Sequence, residues 1–273
     1  MIPATTGRGG RQTAVRIALH ELRDVTRGKM IFGYTVFFMV LTEGLLQFNG
    51  SGGSTMISLM NVVLFLTPLV TIVFGTMYLY NAREFIELLL AQPLRRRQIH
   101  AGLYLGLVVP LAGSIVLGIT LPFALHGVDG TAPRGGLAML VAVGVALTMI
   151  FAALALAIAV RTDDKVKGLG LAIVLWLAFA VLYDGLVMIL LMTFRDRALE
   201  RPAVALMLVN PIDLARVLLL LRFDIAALMG YTGAVLQRFF GGNGGSMIAI
   251  GALVVWIAAP LALSGRWFNN KDF

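Results

Sequence analysis

Two carboxylates stand inside apolar runs, Glu43 and Asp184. A charge in hydrocarbon is costly, so acids in such places serve ion or proton pathways or are paired in packing. Glu43 lies toward the end of its run, within reach of water. Asp184 follows Tyr183 near the middle of a run, and no basic residue of that run is within one helical turn of it. It is either a charge in a pathway or a protonated or hydrogen-bonded packing contact. Other chemistry is narrowed by what is missing. No G-x-x-x-x-G-K-[ST] loop is present, so the chain does not bind ATP by a P-loop. No H-E-x-x-H motif is present, and His20, His100 and His126 sit singly at the borders of apolar runs. There is no cysteine, which removes disulfides and thiolate metal sites. The thirteen methionines are scattered, as core fillers are; soft-metal ligation is the other use of the thioether. No metal, cofactor or catalytic residue is expected, and the chain reads as non-catalytic.

The elements around these residues follow from composition. Apolar residues make up 59% of the chain and charged residues 13%, which is not the balance of a soluble protein. Apolar runs longer than about 18 residues recur, enough to cross a hydrocarbon core of roughly 30 Å. The period-two alternation of a β-barrel is absent. The expectation is an all-α polytopic membrane protein, one domain over residues 1–273. Its six spans lie near residues 30–48, 56–80, 101–125, 137–160, 168–194 and 246–264. Pro68 predicts a kink in the second span. Gly102 and Gly106 in the third would let a neighbouring helix approach closely. The fourth span is rich in Ala and Gly and is expected to be buried among the others.

Three segments outside the spans carry patterns. Over 13–27, Val15, Ala18, Leu19, Leu22 and Val25 oppose Arg16, His20, Arg23, Asp24 and Arg27, an interfacial amphipathic elbow helix. The preceding residues lack the apolar core of a cleavable signal. Over 81–100, helical spacing puts Phe85, Leu88 and Leu89 on one face and Arg83, Glu84 and Glu87 on the other. Pro93 ends this helix, because the residue before a proline leaves the α region. Arg95, Arg96 and Arg97 follow. The segment is either a lever on which something outside the bilayer pushes or an ordinary surface loop.

The third segment, residues 195–245, is about fifty residues long where most loops have about 4–6. It is too apolar for disorder. It is too charged to span, since each charge at mid-bilayer costs about 2.5–3.5 kcal/mol. An external helical cap between spans five and six remains. Asn210, Pro211, Ile212 and Asp213 form a turn there, with Asp213 placed as a helix N-cap. The following helix would bury Leu214, Val217, Leu218 and Leu221 and show Arg216 and Arg222 at its edge. Such a cap either docks an external partner or seals a pathway.

Basic residues set the orientation. Arg8 to Lys29, Arg83, Arg95 to Arg97, Arg161, Lys165, Lys167, Arg266 and Lys271 fall on one side; Arg134 stands alone in the short loops opposite. Both termini and the 81–100 segment are therefore expected in the cytoplasm, with the chain in the inner (plasma) membrane. The net charge of +8 serves orientation against anionic lipid and does not suggest a nucleic-acid partner.

With these pieces in place, the chain resembles the permease subunits of type 2 ABC exporters, the ABC-2 family. Within it the chain looks most like the NosY-type branch that serves nitrous oxide reductase maturation. His20 to Asp24, HELRD, resembles the K-E-L-R-D of the elbow. Trp176, Tyr183 and Asp184 match the W-x-x-x-x-x-x-[FY]-D of the fifth span. Leu208, Asn210, Pro211, Asp213 and Arg216 match the L-x-N-P-x-D-x-x-R of the external segment, the most specific of the three. Two departures stand beside them. Phe85 and Ile86 follow Glu84 where the family has E-x-G-T, and Leu103 replaces a lysine after Pro93 and Gly102.

The resemblance implies a cytoplasmic coupling helix around Arg83, Glu84, Glu87, Leu88 and Pro93. It also implies a separate NosF-type ATPase chain, two permeases paired with two ATPases, and a periplasmic NosD-type protein on the external segment. The competing classes are an intramembrane enzyme or ion-coupled secondary carrier, the latter without a convincing inverted repeat, and a structural subunit indifferent to ATP.

Overall fold

A computed structural model describes residues 29–49, 52–91, 95–126, 135–193, 206–223 and 243–271. The elbow expected at 13–27, Pro93, and residues 195–205 and 224–242 lie outside the described residues. Among the described residues every regular element is a helix. In hydrocarbon the backbone must satisfy its own polar groups, and a helix does so within one segment.

The helices run α1 Lys29–Asn49, α2 Gly52–Asn81, α3 Arg83–Leu90, α4 Arg96–His126 and α5 Gly136–Arg161. Span five is composite: α6 Lys165–Leu177, a π-helical turn Ala178–Leu182, and α7 Tyr183–Thr193. The short α8, Pro211–Arg222, and α9, Asn243–Asn270, complete the described elements. Six of these segments are long and apolar enough to cross a membrane. The spans lie close to where expected, with two extensions: α9 runs on to Asn270, and α4 starts earlier, taking Arg96 and Arg97 into its first turn. Long cationic stems allow this, because the charged head reaches out beyond the apolar layer.

The fourth span, α5, is the hub of the bundle. It packs against α2, α4, α6, α8 and α9. Its small residues, among them Gly144, Ala152, Ala153 and Ala155, are fully buried or nearly so. Gly144 lets Val63 of α2 and Ile115 of α4 come into contact with its backbone. Without a hydrophobic drive between helices in lipid, such close approach holds the bundle together through dispersion. A second close crossing joins α1 to α4, where Gly118 lies against Phe38 and the backbone of Thr35. Gly168 of α6 lies in the same way under the ring of Tyr80 at the end of α2. Span five is peripheral; Leu186, Met188, Ile189 and Met192 all face outward.

The structure corrects the expectation for α8. It does not lie along one end of the bundle. Its first residues stand at mid-bundle, where Trp256 Nε1, midway along α9, donates to Leu208 O at 3.1 Å. Its last residue, Arg222, lies beside Gly135 at the start of α5. Leu214, Ala215, Val217, Leu218, Leu219 and Leu220 are buried. A stripe on one face would suit a helix resting on a surface, but burial almost all round requires insertion between neighbours.

Candidate functional site

At one end of the bundle α3 packs on the end of α2 and the start of α4. Ile86 and Leu89 are buried against the core, with Phe85 and Leu90 half-buried beside them. Leu88 is 67% exposed, and Glu84, Glu87 and Ala91 are exposed with it. The expected division of faces is therefore corrected: Phe85 and Leu89 belong to the inner face, Leu88 to the outer. Spacing explains it, since 84, 87, 88 and 91 stack along one side of a helix. Among the described residues, nothing covers a leucine held on that side beside two glutamates.

The inner end of α3 is clasped. Arg83 pairs with the carboxylate of Asp163 and donates to its main-chain oxygen at 2.8 Å. Lys271 donates to the same carboxylate at 2.7 Å and to Val160 O at 2.6 Å. Tyr80 Oη donates to Thr162 O at 2.8 Å, and Lys165 Nζ to Asn81 Oδ1 at 2.9 Å. Asp164 caps α6 by accepting from Val166 N–H. Arg96 donates to Asn269 O at 3.3 Å. The turn 162–164 thus ties α2 and α3 to span five and to the end of α9. Hydrogen bonds from Lys271 and then Arg83 hold the Asp163 carboxyl below the usual carboxylate range. Asp163 and Lys271 were visible in the sequence as loop and tail charges, but nothing there paired them.

The second site lies inside the bundle. Asn210, fully buried, is the N-cap of α8: its Oδ1 accepts from Ile212 N–H at 3.0 Å. The cap is thus Asn210, with Pro211 in the first helical position, and not Asp213 as expected. Asp213 sits in the first turn. The amide of Asn210 donates to Asp213 Oδ2 at 2.9 Å and to Phe179 O at 2.8 Å. The π-helical turn makes that last bond available. There Tyr183 N–H reaches back to Ala178 O, not to Phe179 O. Such turns often accompany functional sites. Tyr183 Oη in turn donates to Leu206 O at 2.6 Å.

Arg216 points into this cluster. One of its nitrogens lies 3.0 Å from Asp184 Oδ2 and 3.0 Å from Asp213 Oδ1. The basic partner of Asp184 comes from α8, 32 positions along the chain. Two carboxylates thus face one guanidinium in a partly closed site; the Asp184 side chain is 43% exposed and that of Asp213 13%. Beside them a cleft of about 530 Å³ opens between α1, α2, span five and α8, with Phe37, Phe65, Ala180, Ile212 and Arg216 in its lining. Arg222 is exposed at the far end of α8.

The other candidates are apart from both sites. Glu43 accepts from Gln47 at 2.9 Å and meets His126 Nε2 at 3.2 Å, near the end of α1. His100 is buried, 2.9 Å from Ser264 Oγ. Among the described residues no three His, Cys, Asp or Glu side chains gather as a metal would need.

Six spans around a small-residue hub, a short amphipathic helix clasped at one end and a polar cluster within define a multi-pass helical membrane protein. The model of the family described as "ABC-2 family transporter protein" matches residues 55–273, and the chain belongs to that family. It is similar to the "Probable ABC transporter permease protein NosY" of Pseudomonas aeruginosa, 27% identical over 271 residues that cover 93% of this chain and 97% of the relative. It is also similar to the protein of the same description from Stutzerimonas stutzeri, 24% identical with the same coverage.

Proposed function

We propose that this chain is the permease subunit of an ABC transporter whose ATP hydrolysis takes place on a separate, NosF-type chain. The ATPase pushes on α3, and the 162–164 turn passes the movement to span five. The observation that carries this reading is the outward strip Glu84, Glu87, Leu88 and Ala91, exposed among the described residues on a helix whose other side is fixed to the core. An amphipathic helix laid in a groove is a common docking mode, and Leu88 is the anchor it would offer.

The likeness to two NosY permeases supports a role in maturation of the copper sites of nitrous oxide reductase. On this reading the chain lies in the inner membrane with both termini and α3 in the cytoplasm. Two copies pair within the complex. The peripheral, apolar faces of α1 and span five suit a second copy, and a half-exposed Asp184 suits such a shielded boundary better than lipid. A periplasmic NosD-type protein would dock on the 195–245 segment. Arg222 at the exposed end of α8 fits that role; Arg216, engaged by two carboxylates, serves the interior.

The second reading, an ion-coupled carrier, draws on those two carboxylates sharing one guanidinium, which is a place to hold a proton. One experiment separates the two. The natural chain has no cysteine, so Leu88→Cys in the permease co-expressed with its ATPase permits a clean cross-link. The coupling reading expects a permease–ATPase adduct that changes with bound nucleotide. Cross-linking to no nucleotide-binding chain, with transport intact, would favour the carrier.

A further inference from the structure

We propose that the cleft between α5, α6 and α9 holds an anionic phospholipid, with an acyl chain in the cleft and the phosphate at its basic end. This cleft is separate from the one beside Arg216. It encloses about 520 Å³ and is walled by Ala157 and Ile158 of α5, Leu171 and Leu175 of α6, and Ala259 and Leu263 of α9. Trp256 lies in its inner part; Arg161 and Trp267 lie at the end that carries α3. Trp256 and Trp267 are separated by about 16 Å along α9 at about 1.5 Å per residue. That is half of a hydrocarbon core of roughly 30 Å, the depth of one leaflet.

Charge identifies the occupant. The Arg161 guanidinium lies over the Trp267 ring, 5.9 Å from its centroid. Among the described residues no carboxylate pairs with it. Lys167 lies on the same face of α6 as Leu171 and Leu175, one turn and two turns on. Arg266 lies on the same face of α9 as Ala259 and Leu263 by the same spacing. Both are exposed. Among the described residues the acids of the neighbouring turn are already engaged: Asp163 by Arg83 and Lys271, and Asp164 as the cap of α6. One cation in the lining of an apolar cleft, an indole beside it and two further cations on the helix faces that lead out of it match a phosphate head above an acyl chain. Indoles settle at the level of the head groups, and basic pockets between spans hold acidic lipid heads. A zwitterionic lipid would leave the three charges uncompensated.

The test uses tryptophan emission from the purified full chain in vesicles of phosphatidylcholine and phosphatidylglycerol, with either one brominated on its acyl chain. Trp176 is buried against Phe65 and serves as an unquenched background. Brominated phosphatidylglycerol should quench Trp256 and Trp267 beyond its share of the bilayer, with an occupancy preference of about threefold or more. Neutralising the mouth (Arg161→Gln, Lys167→Gln and Arg266→Gln together) should bring the two lipids to parity with quenching retained. Filling the cleft with Ala259→Phe should lower quenching by both. Equal quenching of the unaltered chain by the two lipids would overturn the proposal. So would a preference that survives the triple neutralisation. Quenching by neither lipid would also overturn it, because a second copy of the chain would then cover the cleft.

Discussion

Arg216 of α8 reaches Asp184 of span five at 3.0 Å, joining a short inserted helix to the span broken by a π-helical turn. The same nitrogen holds Asp213, so the two partners are not equivalent. Arg216→Leu leaves two carboxylates facing each other with no cation. Removing one partner of a buried pair costs about 3–5 kcal/mol, and partial exposure here lowers the expectation to about 1–3 kcal/mol. Asp184→Asn leaves Arg216 with Asp213 and should cost less than about 1 kcal/mol. Thermal unfolding of both variants in detergent checks the order. Equal losses would mean that the cluster does not depend on the guanidinium.

Asn210 both caps α8 and donates to Phe179 O. Asn210→Ser keeps a capping oxygen and loses the amide donor. Asn210→Asp keeps the cap but sets an oxygen against Phe179 O and Asp213. The aspartate should be the worse of the two. Leaving a buried acceptor without its donor costs about 1–3 kcal/mol, so the serine variant should stay within that range and the aspartate variant exceed it. The comparison is read from denaturation and from the yield of folded protein.

Close crossings predict a contrast within one helix. A Cβ on Gly118 would meet Phe38 and the backbone of α1, whereas nothing lies near one on Gly113. Gly118→Val should therefore cost about 1–3 kcal/mol as an overpacked contact, and Gly113→Ala should be neutral or slightly stabilising. Similar melting temperatures for the two would place the α1–α4 contact elsewhere.

Much of this was legible in the sequence. Apolar runs placed the spans, because length and hydropathy decide what crosses a bilayer. The Ala and Gly content of the fourth span foretold its central position, since small residues admit neighbours on all sides. Pairings across the chain were not legible. Nothing local to Asp184 names Arg216, and nothing in the π-helical turn advertises the free carbonyl that Asn210 takes. The inner face of α3 was misread for a related reason. Phe85, Leu88 and Leu89 are all apolar, and only contact with the core distinguishes Leu89 from Leu88.

The clasp at Asp163 carries a pH expectation. Its carboxyl is held low by Lys271 and Arg83, so the clasp's contribution is complete above the ordinary carboxylate range. It is lost as pH falls through the depressed folded value. From neutral pH down to the ordinary carboxylate range, the turn 162–164 should keep its protection against hydrogen exchange. Asp163→Asn should lose protection at every pH. A natural chain that loosens already near neutrality would show that Asp163 is not held by these two cations.

Coupling through α3 is tested most directly at Leu88. Leu88→Asp puts a charge on the outward strip and touches nothing buried, because Leu88 is 67% exposed. Leu89→Ala, on the inner face, serves as the control that weakens the permease and not the strip. The measurement is ATP hydrolysis by the co-expressed ATPase, together with its co-purification with the permease. If α3 is the contact, Leu88→Asp leaves the permease folded, with ATPase association and stimulated hydrolysis reduced about tenfold or more, the factor for about 1.4 kcal/mol. Full association and full stimulation in Leu88→Asp would contradict coupling through this helix.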